Sequence, residues 1–284
     1  MRIIKNLNLT TSQFIASLIG GLALFLVPQD AKNMFNGGIF REFYVAGIAV
    51  LVVVLLFLIF KSYETIGISL LVVMTLIVAN YTISNIMLNI YGPFQFYLDY
   101  YDSVCFFLIW MIPFLSCIII RLFSFDSYDS DLFKEEFKNF MILSTIAFAI
   151  YYIILLLAYF LFDGPVDLFS ERDVNLILFS NNANSNLESF QTKEYIKCFI
   201  YFIPLGFLVH IYKNKTSFWK RVLIAVCFGI FIELVQFSLN TATVSLWDVI
   251  FYTLGFIVGG AIKKLLDIIR RTITRGEEST IFDF

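Results

Sequence analysis

Residues 43–60 read FYVAGIAVLVVVLLFLIF, eighteen positions without a charge or a proline. A helix crossing the hydrocarbon core of a bilayer needs about 20 predominantly apolar residues at a rise of about 1.5 Å each. Lipid offers backbone amides no hydrogen bonds, so a run of this kind satisfies them within itself, as a helix does. Working outward from this stretch, seven more such runs appear: 12–27, about 65–88, 103–120, 139–162, about 195–212, 219–238 and 246–265. The first lies in a charge-free stretch from Asn6 to Gln29. Its exit, VPQDAKN, lacks a small-residue cleavage site, so it reads as a retained span rather than a removed signal. The expected fold class is all-α, a polytopic transmembrane helix bundle of about eight transmembrane helices.

Composition agrees with that reading. Hydrophobic residues make up 60% of the chain and charged residues 15%, against about 45–50% and about 25% in soluble domains. Such a surface is solvated largely by lipid, and membrane lipids are its first expected partners. Nucleic acid is not expected as a partner. Cys105, Cys117, Cys198 and Cys227 all sit in apolar runs and form no CxxC pair, which points to small packing residues rather than a disulfide frame or a zinc site. His210 is the single histidine. No metal site and no cofactor are expected.

Lys and Arg collect in cytoplasmic connections. Placing the eight runs alternately puts 15 basic residues on the side of both termini and 5 on the other, namely Lys32, Arg41, Arg172, Lys193 and Lys197. Both ends are therefore expected in the cytoplasm. The outer side holds ten carboxylates, among them Asp99, Asp102, Asp163, Asp167 and Glu188, and the longest loop, 163–193. Within that loop SNNANSN is polar turn material, and VDLFSERDVNLILF suits a short interfacial helix or a strand equally. The expected organisation is an N-terminal membrane region over 1–130 with about four spans. A second membrane domain follows over 131–270 with about four more, and then a cytoplasmic tail over 271–284.

The two halves differ in polarity. The first five spans contain almost no ionisable groups. In the last three, Pro204 and Gly206 interrupt span six, and His210 lies near its inner end. Span seven carries Glu233 and Gln236, and span eight opens with Trp247 and Asp248. An acidic residue at the bilayer centre costs about 2.5–3.5 kcal/mol on insertion scales, so it normally faces the protein interior and a partner. Gln236 falls three positions after Glu233, on the same helix face. Span seven runs outward and span eight inward, so Glu233, Gln236 and Asp248 lie at similar depth near the outer surface. Three readings stay open. One is hydrogen-bonded interhelical glue with Asp248 as a helix cap, the second a ligand or ion site, and the third a proton relay. Pro113 and Pro204 should kink spans four and six, and the segments around them, MIPFL and FIPLG, look loosely alike. Gly255 and Gly259 form a GxxxG that permits close helix packing.

The order CFIYFIPLGFLV, FIELVQFSL, WDVIFYTLGFIVGG resembles the VanZ-like family of membrane proteins over about residues 137–267. That family typically shows F-I-P-x-G, then E-x-x-Q in the next span, then D-[VIL]-[IL]-x-N-T-x-G at the start of the last. Pro204, Gly206, Glu233, Gln236, Asp248, Thr253 and Gly255 match it. Cys198 stands where an Asn usually precedes F-I-P, Tyr252 replaces the Asn of N-T-x-G, and residues 237–247 lack the Arg often found there. The resemblance carries over no catalytic residue. It implies a bacterial cytoplasmic membrane, of a Gram-positive cell, and a link to resistance against teicoplanin, a glycopeptide antibiotic acting at the cell wall.

The function expected from both lines is a non-enzymatic VanZ-like membrane protein that affects the envelope response to glycopeptide or related antibiotics. Its outer face would meet a cell-envelope component or the antibiotic itself. The competing class is an ion-coupled transporter or permease, since kinked spans with an intramembrane carboxylate also suit transport. An enzyme is disfavoured because HExxH, GxSxG and paired Cys/His ligands are all missing from the sequence.

Overall fold

The computed structural model describes residues 9–35, 39–88, 98, 100–123, 131–161, 174–175, 185–212, 217–241 and 244–273. All eight apolar runs are helices: α1 (Thr11–Met34), α2 (Ile39–Phe60), α3 (Tyr63–Leu88), α4 (Tyr100–Phe123), α5 (Asp131–Leu155), α6 (Ser185–Tyr212), α7 (Phe218–Leu239) and α8 (Leu246–Ile273). Each is long and apolar enough to cross a membrane, and the chain is an all-α polytopic membrane protein. The helices outrun their apolar windows because the hydrogen-bond ladder continues into polar flanks. Thr10 starts α1 with a capping box: its hydroxyl accepts from the Gln13 amide at 3.3 Å, and Gln13 Oε1 accepts from the Thr10 amide at 2.8 Å. After Leu155 the ladder widens to a π-helical turn, Leu156–Leu161. Helices α1, α4 and α6 run through Pro28, Pro113 and Pro204.

The expected loop 163–193 needs correcting at its end. Helix α6 begins at Ser185, so residues 185–193 are helical. The S-x-x-E pattern from Ser185 to Glu188 is a helix-start signal that the surrounding polar residues hid. Earlier in that stretch Val174–Asn175 form a two-residue strand, β1, paired in parallel with β2 (Val244–Ser245). The rest of that loop lies outside the described residues. At the other end α8 continues to Ile273, three positions into the expected tail.

By packing, the chain divides into two units, the first holding α1–α5 and the second α6–α8 with both strands. The motifs suggested a division near residue 130, whereas by packing α5 groups with α1–α4, lying along α3. In the first unit α1 packs on α3 and α2, and α2 on α4. Gly21 lets α1 close on α3, since a Cβ there would stand 2.8 Å from Val72 Cγ1. Ser69 Oγ donates to the Ser17 carbonyl across the same contact at 3.0 Å. Between α4 and α5, the buried Trp110 packs against Phe148, with ring centroids 4.5 Å apart, and donates its indole N–H to the Ser144 carbonyl at 3.0 Å. Trp110→Phe keeps most of the ring contact and loses the bond, so it should cost about 1 kcal/mol. Trp110→Ala should cost about 3–5 kcal/mol. Thermal unfolding of the purified variants checks the order.

The first unit is less free of charge than its sequence suggests. Arg41 of α2 forms a buried ion pair with Asp102 of α4, and the Tyr81 hydroxyl of α3 donates to the same carboxylate. Elsewhere Glu64 of α3 is buried and accepts from Asn139 Nδ2 of α5 at 2.5 Å. Arg41 and Asp102 read as connection charges because they border the apolar runs. Since α2 starts at Ile39 and α4 at Tyr100, both fall in first helical turns, where they face one another.

Candidate functional site

The polar residues of α7 and α8 meet because of how α7 ends. Asn240 takes a left-handed conformation, φ 50° and ψ 44°, and its amide bonds back to the Gln236 carbonyl, a common helix stop. The Thr241 amide reaches that carbonyl too, at 3.3 Å. The chain therefore folds back over the helix end, and Ser245 comes to lie against Glu233. The Ser245 amide donates to Glu233 Oε2 at 2.9 Å. Ser245 Oγ in turn accepts from the Trp247 amide at 3.2 Å, the bond an N-cap residue makes to the second residue of its helix. Capping of α8 thus falls to Ser245, and Asp248 sits three residues beyond it.

Asp248 takes part in a contact with α6 instead. Cys198 Sγ approaches Asp248 Oδ1 at 3.8 Å, within reach of a weak thiol hydrogen bond. Asp248 is also within electrostatic reach of Glu233. The Tyr252 side chain faces both Cys198 and Glu233, and its ring stacks on Phe202 with centroids 4.4 Å apart. Glu233, Gln236 and Tyr252 are buried, and so is Cys198. The structure thus brings Glu233, Gln236 and Asp248 to one end of the α6–α8 unit and adds Cys198, Tyr252, Thr241 and Ser245. Cys198 and Tyr252 are the positions where the sequence departs from the resembled pattern. They occupy the site with a thiol and a phenol rather than leaving it bare. Thr253 does not join the cluster through its hydroxyl, which donates to the Val249 carbonyl of its own helix at 2.8 Å.

Glycines set the distance between α6 and α8. A Cβ on Gly206 would lie 2.1 Å from the Phe256 carbonyl oxygen, one on Gly255 2.1 Å from that of Phe199, and one on Gly259 2.1 Å from that of Ile203. The two helices touch backbone to backbone. Contacts advance together along both, from Tyr195 stacked on Phe251 to His210 over Gly260, so α6 and α8 run parallel with α7 connecting them. Pro204 is buried in the same stretch of α6. Far from the cluster, His210 is buried, with Nδ1 2.7 Å from the Gly206 carbonyl and its ring beside Phe256. Near that end Lys263 pairs with Asp267 within α8 at 2.6 Å.

Among the described residues no group of three or more His, Cys, Asp or Glu stands ready to hold a metal ion. The cluster's chemistry is that of oxygen acceptors with a thiol and a phenol at one side. No curated protein and no solved structure matches the chain. Residues 147–267, from within α5 through most of α8, match the family model VanZ/LLP1, which supports a VanZ-like assignment for this part of the chain.

Proposed function

We propose that the chain is a non-enzymatic protein of the bacterial cytoplasmic membrane, with both termini inside, that alters how the cell envelope meets glycopeptide or related antibiotics. The observation that carries this reading is the acceptor cluster of buried Glu233 and Gln236 with half-buried Asp248, within the VanZ-like segment. The distribution of Lys and Arg supports an outward direction for that end of α7. A site of this character at the outer face suits an envelope component or antibiotic that presents positive or hydrogen-donating groups. The negative outer side disfavours direct capture of anionic wall polymers.

Deletion of the gene followed by complementation tests the reading. Wild type should restore the parental susceptibility to teicoplanin. Glu233→Gln should leave the cell at the level of the deletion strain, with Gln236→Ala and Asp248→Asn in between, all at normal abundance in the membrane. Full restoration by all three variants would make the cluster structural and remove the support for this role. Labelling of cysteines placed in 213–221 from outside intact cells would overturn the orientation.

A further inference from the structure

Three acceptor atoms at the end of α7 are buried without a hydrogen-bond donor among the described residues: Glu233 Oε1, Gln236 Oε1 and Thr241 Oγ1. Their residues are 5%, 6% and 8% exposed. Buried polar atoms normally have partners, and each exception asks for an explanation. These three share one location. Gln236 follows Glu233 by one turn on the same face, and the Thr241 amide is bonded to the Gln236 backbone. Two amides beside the cluster are already engaged, Ser245 N–H on Glu233 Oε2 and Trp247 N–H on Ser245 Oγ, and the Tyr252 hydroxyl also bonds the Glu233 side chain.

Among the described residues, the charges acting on Glu233 have one sign. Glu233 and Asp248 supply carboxylates, and the C-terminus of α7 adds partial negative charge from its last carbonyls. Ser245, Asp248 and Tyr252 are the groups that act on Glu233. Lys197 reaches Cys198 but is not among those acting on Glu233. A carboxylate, an amide and a hydroxyl oxygen form the hard donor set that oxygen-loving cations take. The same three acceptors match the three N–H donors of a primary ammonium group.

We infer that the end of α7 binds one compact cation through Glu233 Oε1, Gln236 Oε1 and Thr241 Oγ1, with Asp248 as a second negative charge nearby. The inference rests on the proposed reading of this cluster as a ligand site. A metal ion and a protonated primary amine share the chemistry, and the experiment separates them.

The full chain is purified in detergent with N-methylglucamine chloride, a cation too bulky for the site. Sodium, calcium or methylammonium chloride then replaces it at constant ionic strength while thermal unfolding is followed. A ligand that binds only the folded state raises the melting temperature by mass action. Wild type should show a saturable rise with at least one of the three, and the responding ion identifies metal or amine. The rise should vanish in Glu233→Gln. Its midpoint should move to about tenfold higher concentration in Gln236→Ala and Thr241→Val, the loss of one contact. The exposed Thr272→Val, at the far end of α8, should behave as wild type. No saturable rise in wild type with any of the three overturns the inference and leaves a protonated carboxyl or bound water at the site. An unchanged rise in Glu233→Gln overturns it too, by placing the cation elsewhere. Should Glu233→Gln fail to fold, an unchanged midpoint in Thr241→Val has the same force. The measurement needs no antibiotic. Binding without a susceptibility phenotype therefore sinks the proposed role alone, and a phenotype without binding sinks the cation alone.

Discussion

Gly255→Val should abolish accumulation of folded protein in the membrane. The atom a side chain would meet is the backbone carbonyl oxygen of Phe199, 2.1 Å from an ideal Cβ. A side chain can rotate away from such a clash, but a helix backbone has to be displaced as a whole. Gly206 and Gly259 face carbonyls at the same distance, so the contact is tight over two turns. Forcing α6 and α8 apart would strip packing from Phe202, Tyr252 and Phe256 and pull Cys198 away from Asp248. Overpacking one methylene in a core costs about 1–3 kcal/mol, and here the main chain itself is obstructed, so the loss should exceed about 3 kcal/mol. Even Gly255→Ala should be severe. Gly47 is the internal control, because a Cβ there meets nothing within 4 Å. Gly47→Ala should leave membrane abundance and melting temperature unchanged. Normal abundance and stability of Gly255→Val would show that the two helices do not pack this closely.

Asp102→Ala should be the second large effect. It removes the counter-charge of the buried Arg41 guanidinium and the acceptor of the Tyr81 hydroxyl in one step. Breaking a buried pair from one side costs about 3–5 kcal/mol, whereas replacing both partners with apolar residues of similar volume is often neutral. The double variant Arg41→Met/Asp102→Leu should therefore recover most of the stability lost by Asp102→Ala. Tyr81→Phe should cost only about 1 kcal/mol. A double-mutant cycle read by thermal unfolding measures the coupling. Additive losses at the two positions would mean that the ion pair contributes nothing.

The sequence made the helices legible and left most of the contacts hidden, for physical reasons. Eight long apolar runs have few structural outcomes in lipid, because backbone amides must pair within the segment. GxxxG at Gly255 and Gly259 could be read as packing, but not as packing on α6 in a parallel register. Arg41 and Asp102 lie 61 positions apart, and hydropathy assigns each to a connection, so their pairing appears only once helix starts are known. At the cluster, Glu233, Gln236 and Asp248 stood out because carboxylates and amides are rare in spans. Thr241, Ser245, Cys198 and Tyr252 carried no such mark. The left-handed turn at Asn240 brings the first two in, and the glycine contact with α6 brings in the others. The helical start at Ser185 was visible as S-x-x-E but lay among residues whose polarity suggested a loop.

The parallel pairing of α6 and α8 also bears on how the chain is made. Phe199 and Gly255 are 56 positions apart, and ribosomes add roughly 5–20 residues per second, so α6 enters the bilayer roughly 3–11 s before its glycine-lined partner. Through that interval its notch at Gly206, its interior proline and His210 face lipid or a helper protein rather than α8. A chain that stops after α7 never leaves this state, and it presents to the membrane's quality-control proteases the backbone surface that the finished protein conceals.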